Sequence, residues 1–218
     1  MSLIAPSLTC LTDPKAHLVL DTSTVINLNA TGCGRQLIQA LPNPFAVVDT
    51  VLAELAGGRH RSRQDWELLN ELVASNFVTM AKLDERATQY FEQLVIGSAA
   101  ATLDDGEAAT IAYAVSQRAF AIVDERKANR ICSQRFPRLR LGCTVDIFAH
   151  PIVQQTLGRE ALANAIFNAL YQGRMRVLPH HLKWVVELIG IERAILCTSL
   201  PKTVRVPKLA SAGGPDTK

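Results

Sequence analysis

Short apolar runs alternate with amphipathic stretches over the first two thirds of the chain. The runs are "HLVLD" (17–21), "FAVVD" (45–49), "NFVTMAKL" (76–83), "AFAIVD" (119–124) and the weaker "LRLGC" (139–143). Their apolarity is continuous, which predicts strands covered on both faces, as in a parallel sheet. Helical patterns stand between them: "TVLAELAG" (50–57), "RQDWELLNELVASN" (63–76), "DERATQYFEQLVIG" (84–97), "DDGEAATIAYAVSQR" (104–118) and "ERKANRICSQR" (125–135). Asp84 is an N-cap residue for the third, and the fourth has an acidic first turn and a basic last turn, as the helix dipole favours. This alternation predicts right-handed βαβ crossovers and a three-layer α/β/α fold around a central parallel sheet of about five strands.

Beyond residue 144 the pattern turns helical, in three stretches closed by Gly158, Gly173 and Pro201. The expected organisation is an N-terminal segment (1–16), an α/β domain (17–145) and a helical extension of that domain (146–200). A tail rich in Pro, Gly, Ser and Lys (201–218) is expected to be flexible. The chain has 218 residues, 48% of them hydrophobic, enough for one sizeable core. A net charge of +3 permits a polyanionic partner without demanding one. Five cysteines with no CxxC pair read as reduced, buried thiols of a cytoplasmic protein, with no disulfide framework and no zinc site. The N-terminus lacks the basic region and apolar core of a signal peptide, and no window reaches the ~18 apolar residues of a membrane span.

Acids mark the ends of the apolar runs. Asp21 closes the first, Asp49 the second and Asp124 the fourth. Glu54 stands a helical turn beyond Asp49, and Glu107 opens the helix before the fourth run, next to Asp104 and Asp105. In open α/β sheets ligands sit beyond the carboxyl ends of the strands. Acids gathered there repel one another and need a positive partner. No Lys or Arg stands inside "VLDTSTVINL" or "LDDGEAATI". An all-oxygen donor set therefore favours Mg²⁺ or Mn²⁺ over zinc. Each acid also has an ordinary reading: Asp21, Asp104, Asp105 and Asp124 as caps, Glu107 as an N-terminal helix acid favoured by the dipole, Glu54 as a solvent-facing helix residue, Asp49 as the N-cap or turn before its helix.

"VLDTSTVINL", "VVDTVLAEL", "LDDGEAATIAYA" and "AIVDERKANR", in this order, resemble the motifs of the PIN-domain nucleases, in their bacterial and archaeal, toxin-like form with a GEA motif. The resemblance implies a PIN-like fold and a metal-dependent endoribonuclease. It assigns both metal binding and catalysis to Asp21, Glu54, Glu107 and Asp124, with Ser23 and Asp105 as auxiliaries and Mg²⁺ or Mn²⁺ as cofactor. It implies an RNA substrate, a dimer, and the toxin role of a toxin–antitoxin pair with a protein antitoxin as partner. An RNA-processing or defence nuclease without antitoxin, and a non-catalytic nucleic-acid-binding module, stay open. Arg126 stands where the family's fourth motif often carries an Asp.

Two basic stretches, "GRHRSR" (58–63) and "RKANRICSQRFPRLR" (126–140), flank the acids, and Arg59, Arg61, Arg126 and Arg130 are the residues expected on a phosphate backbone. Solvated surface charge is the alternative reading. His60, His180 and His181 have no Cys, Asp or Glu at ligand spacing and read as surface or loop residues. The helices at 63–76 and 84–97 read as an apolar hairpin that could carry a partner surface.

Overall fold

A computed structural model describes residues 9–57 and 60–205, the side chains of residues 60–62 excepted. Most of the tail expected to be flexible therefore lies outside the described residues. Five parallel strands form the sheet: β1 (Leu18–Leu20), β2 (Phe45–Val48), β3 (Val78–Ala81), β4 (Phe120–Ile122) and β5 (Arg140–Gly142). Each falls within one of the five apolar runs. The order is β3-β2-β1-β4-β5, so the chain builds outward from β1 to one side and then crosses to the other. Leu18 is in register with Phe45 of β2 and with Phe120 of β4, which makes β1 the centre of the sheet.

The alternation of side chains across the pleat separates two cores. Leu18, Leu20, Phe45, Val47 and Ile122 face one of them, and Val19, Val48, Ala121 and Val123 the other. The first face is covered by α1 (Thr22–Ala30), α2 (Gly34–Ala40), α3 (Asp49–Gly57) and α4 (His60–Ala74). The second is covered by α5 (Glu85–Val95), α6 (Asp105–Gln117) and α7 (Arg126–Arg135). α5 starts as expected, with the Asp84 carboxylate accepting from the Ala87 N–H at 2.7 Å.

The expected α4–α5 hairpin does not form as an apolar unit. Leu69 and Leu72 of α4 bury in the first core and Leu94 of α5 in the second, because β3 intervenes and sends the chain to the other side of the sheet. The helices α1 and α2 were not anticipated. In α1, Thr22, Thr24, Val25 and Ile26 are β-branched, which by itself favours strands over helices. Capping decides otherwise: Asp21 is extended (φ −81°, ψ 172°) and its side chain accepts from the Thr24 N–H, starting the helix directly at the strand end.

The C-terminal part consists of α8 (Thr144–Ala149), α9 (Pro151–Tyr171), a 3₁₀ turn (Pro179–His181), α10 (Leu182–Ile189), α11 (Ile191–Leu196) and α12 (Lys202–Arg205). Gly158 breaks α9 with φ 73° and ψ 167°, a conformation that glycine tolerates and that matches the expected stop there. Phe148, Ile166, Leu170, Trp184 and Val185 join the same buried cluster as Leu18 and Phe45. Among the described residues no helix is long and apolar enough to cross a membrane.

Candidate metal centre at the carboxyl edge of the sheet

The strand order reverses at β1, so β1 and its neighbour β4 flank the switch point where α/β sheets open a crevice. Asp21 follows β1 and Asp124 follows β4, and both are almost fully buried, 1% and 2% exposed. Asp21 accepts from the Thr24 N–H at 2.6 Å and from the Ser23 hydroxyl at 2.8 Å. Asp124 accepts from the Thr144 N–H at 2.8 Å, the Thr144 hydroxyl at 2.7 Å and the Asn27 amide at 2.7 Å. It does not cap α7, whose N-cap is Glu125. Its carboxylate is turned toward α1 and α8, inside the fold.

Glu54, on α3, comes in from the β2 side. Its carboxylate accepts from the Gly106 N–H at 2.7 Å and from the Thr22 hydroxyl. This contact explains the glycine of "DDGEA". A Cβ at Gly106 would stand 2.6 Å from Thr22 Oγ1 and run into the Glu54 carboxylate. Glu107, in the first turn of α6, is half-buried. Asp105 is exposed in the same turn, whereas Asp104 is near enough to act on the charge of Glu107.

Electrostatics tie these groups together. Burial, helped by the nearby charge of Glu54, pushes Asp21 up to about 6 against the hydrogen bonds from Thr24 and Ser23. Burial and then the Asp21 charge push Asp124 up to about 7. Burial, then Asp21, Glu125 and Asp104, push Glu107 up to about 7. Asp21 is thus the acid whose charge is coupled to Glu54, Glu107 and Asp124 alike. The four carboxylates do not draw into one tight shell. Among the described residues, no three of them bring an oxygen each within 4.8 Å of one another. Like charges and separate donors hold them apart: Glu54 is turned to Gly106 and Asp124 to Thr144. The donor set remains all-oxygen, anionic and partly dehydrated, which suits a hard divalent cation such as Mg²⁺ or Mn²⁺.

The basic residues divide. Arg59 lies outside the described residues, and Arg61 is in α4 with its side chain outside them. Arg130 donates to Ala100 O at 3.2 Å, Arg135 to Gln93 O and Ala101 O, and Arg140 to Arg118 O, so much of that run braces loops. Arg126 does face a recess, of about 500 Å³, lined also by Arg174, Arg176, Thr198 and Ser199. Arg176 pairs with Glu125, which places this recess beside Asp124. Arg174 and Arg176 escaped the sequence reading because they lie some fifty residues after Asp124, in a segment read only as a helix end. Thr22, Asn27 and Thr144 also escaped it; the hydroxyl in "DTS" and the first residue of "TVD" were their only traces.

The histidines need one correction. His181 is 1% exposed and its Nε2 lies 3.4 Å from Asp146 Oδ1. The Cys143 thiol donates to Asp146 Oδ2 at 3.1 Å, and Cys143, Asp146 and His181 form a buried group with ligand atoms within 4.8 Å of one another. The separation of Cys143 and His181 along the chain hid this group.

The family model described as DUF3368, a PIN domain, matches residues 17–190. Among solved structures, a chain in the crystal structure of VapBC2 from Rickettsia felis, bound to a DNA fragment from their promoter, is 16% identical with a TM-score of 0.41. That match covers 58% of this chain and 98% of the other. No curated protein matches. With the family model spanning well over half of the sequence, and the motif acids brought to one edge of one sheet, the chain belongs to the PIN-domain family.

Proposed function

We propose that the protein is a divalent-metal-dependent endoribonuclease whose centre is Asp21, Glu54, Glu107 and Asp124. The observation that carries this reading is the burial of Asp21 and Asp124 at the ends of β1 and β4, on either side of the switch point of the sheet. Two acids 1% and 2% exposed, with no Lys or Arg among their hydrogen-bond partners in the described residues, are costly as a purely structural device. Mg²⁺ or Mn²⁺ held by these four carboxylates would supply an acidified water and charge stabilisation at the scissile phosphate.

The chain's own residues do the remainder. Thr24 and Ser23 hold Asp21, and Asn27 and Thr144 hold Asp124, so each carboxylate is oriented before substrate arrives. The Gly106 N–H and Thr22 hydroxyl fix Glu54 across the crevice. The acids alone would repel a phosphodiester, so attraction must come from the rim. Arg126, Arg174 and Arg176 supply it, reading backbone charge and not base sequence. Attack of water in line on phosphorus breaks the P–O3′ bond and leaves a 5′-phosphate and a 3′-hydroxyl. Ser23 acts through its hydrogen bond to Asp21. The cell role in this reading is the toxin of a toxin–antitoxin pair, as the sequence resemblance implies.

The test is cleavage of single-stranded RNA with Mg²⁺ or Mn²⁺, with end-group analysis of the products. Activity should vanish in chelator and in Asp21→Asn. Cleavage by Asp21→Asn at the parent rate would overturn the site. Growth arrest on expression, relieved by the product of a neighbouring small gene, tests the toxin role.

A further inference from the structure

The four motif acids occupy the carboxyl edge of the sheet. A second concave site lies at the amino edge, where the chain enters β4 and β5. Arg118 and Ala119 lead into β4, and Pro137, Arg138 and Leu139 lead into β5. Arg86 and Tyr90 of α5 and the last turn of α6 wall off a recess of about 720 Å³. That volume suits a small organic ligand.

The lining has an apolar floor and a cationic rim. Ala114, Val115, Ala119, Phe136 and Leu139 make the floor. Tyr90 and Phe136 are half-buried and meet edge to face, with ring centroids 5.6 Å apart. Arg86, Arg118, Arg138 and Arg140 make the rim, and all four are exposed. Arg140 is already engaged, with Asp13 at 3.3 Å, Arg118 O at 2.6 Å and the Phe120 ring at 4.5 Å. Arg86 reaches the Tyr90 hydroxyl at 3.4 Å. Among the described residues neither Arg86, Arg118 nor Arg138 has a carboxylate partner. Asp84 does not neutralise them. It accepts from the Ala87 N–H at 2.7 Å, the Ser116 hydroxyl at 3.2 Å and the Gln117 amide at 3.2 Å. The C-terminal ends of α6 and α7 each offer about half a negative charge, so three unpaired arginines leave a positive surplus.

This lining fits an anion that carries a flat apolar body. Guanidinium forks grip phosphate oxygens in pairs, and aromatic and small apolar side chains accept the face or edge of a base. A bare inorganic anion would leave the floor wet, and an acidic peptide has no need of a closed recess. We propose that the recess binds one nucleotide unit, with its phosphates on Arg118 and Arg138 and its base on the floor beside Tyr90 and Phe136. A free nucleotide and a nucleotide within single-stranded RNA offer the same chemistry. The site stands at the edge of the sheet opposite the four acids and takes no part in cleavage.

The experiment is equilibrium binding to the full chain in chelator, by calorimetry for adenosine 5′-diphosphate and by fluorescence anisotropy for a labelled single-stranded RNA. The test variant is Arg118→Asn with Arg138→Ala. Both side chains are exposed, and Asn tolerates the φ of 55° at position 118. The diphosphate should bind saturably to the parent and about 10–100-fold more weakly to the test variant. Arg174→Ala with Arg176→Ala, at the other edge, should keep the parent affinity for it. Tyr90→Leu should weaken the diphosphate and leave inorganic pyrophosphate unchanged, which separates base from phosphates. If the RNA alone binds and the test variant weakens it, the nucleotide is one of a strand. The proposal is overturned if neither probe binds, or if the test variant binds both as the parent does. It is equally overturned if inorganic pyrophosphate or an acidic peptide binds as tightly as the diphosphate. Chelator removes any metal from the four-acid centre, so failure of the nuclease reading leaves these binding results unchanged.

Discussion

Replacing Asp21 by Asn in metal-free protein should stabilise it at alkaline pH, although it removes a buried hydrogen-bonding group's charge. Asp21 is raised from 3.8 to about 6, by burial first and then by Glu54, net of the bonds from Thr24 and Ser23. A folded value above the unfolded one means that the native state binds the extra proton. The associated stability is fully present below 3.8 and is lost as pH rises through about 6. A shift of about two units corresponds to a ceiling of about 3 kcal/mol. Asn is as good an N-cap as Asp, so the bond to Thr24 N–H survives, and the Ser23 hydroxyl can turn to accept. Glu107 and Asp124 also lose the charge that each faces. The expected outcome is a gain of ~1–3 kcal/mol at pH 8 and little change at pH 4. Urea unfolding in chelator across that range measures it, and for a chain of this length the melting temperature moves by about 2–4 °C per kcal/mol. A variant less stable than the parent at pH 8, or with the parent's pH slope, would refute the reasoning.

Three further outcomes follow from the same geometry. Gly106→Ala should fold but lose RNA cleavage, since the added Cβ displaces Glu54 and Thr22; the overpacking should cost ~1–3 kcal/mol by thermal or urea unfolding. Thr144→Val keeps the backbone donor to Asp124 and removes the hydroxyl at 2.7 Å, and should lower activity or Mn²⁺ affinity by ~10–100-fold, read by single-turnover cleavage and calorimetry. Arg174→Ala with Arg176→Ala should raise KM for single-stranded RNA, leave kcat near the parent value and reduce the salt dependence of binding measured by fluorescence anisotropy.

The sheet was legible because buried parallel strands leave short apolar runs, and all five runs became strands. The acids were legible because they stand at strand ends and helix starts, where chain direction alone aims them at one edge. What was missed was local capping and long range. No helical pattern was drawn between Asp21 and Ala30, where one carboxylate cap at Asp21 was enough to start α1. The α4–α5 pair was misread because periodicity reports an apolar face but not which side of the sheet it meets. Arg174, Arg176 and His181 join their partners only through the fold of the C-terminal helices, and nothing in their spacing along the chain announces it.

The most direct test of the central claim is a crystal structure grown in Mn²⁺, with anomalous scattering used to locate the ion. A peak is expected at coordination distance from the Asp21 and Asp124 carboxylates, with Glu54 or Glu107 completing the set. A well-ordered crystal at saturating Mn²⁺ with no peak between β1 and β4 would contradict it.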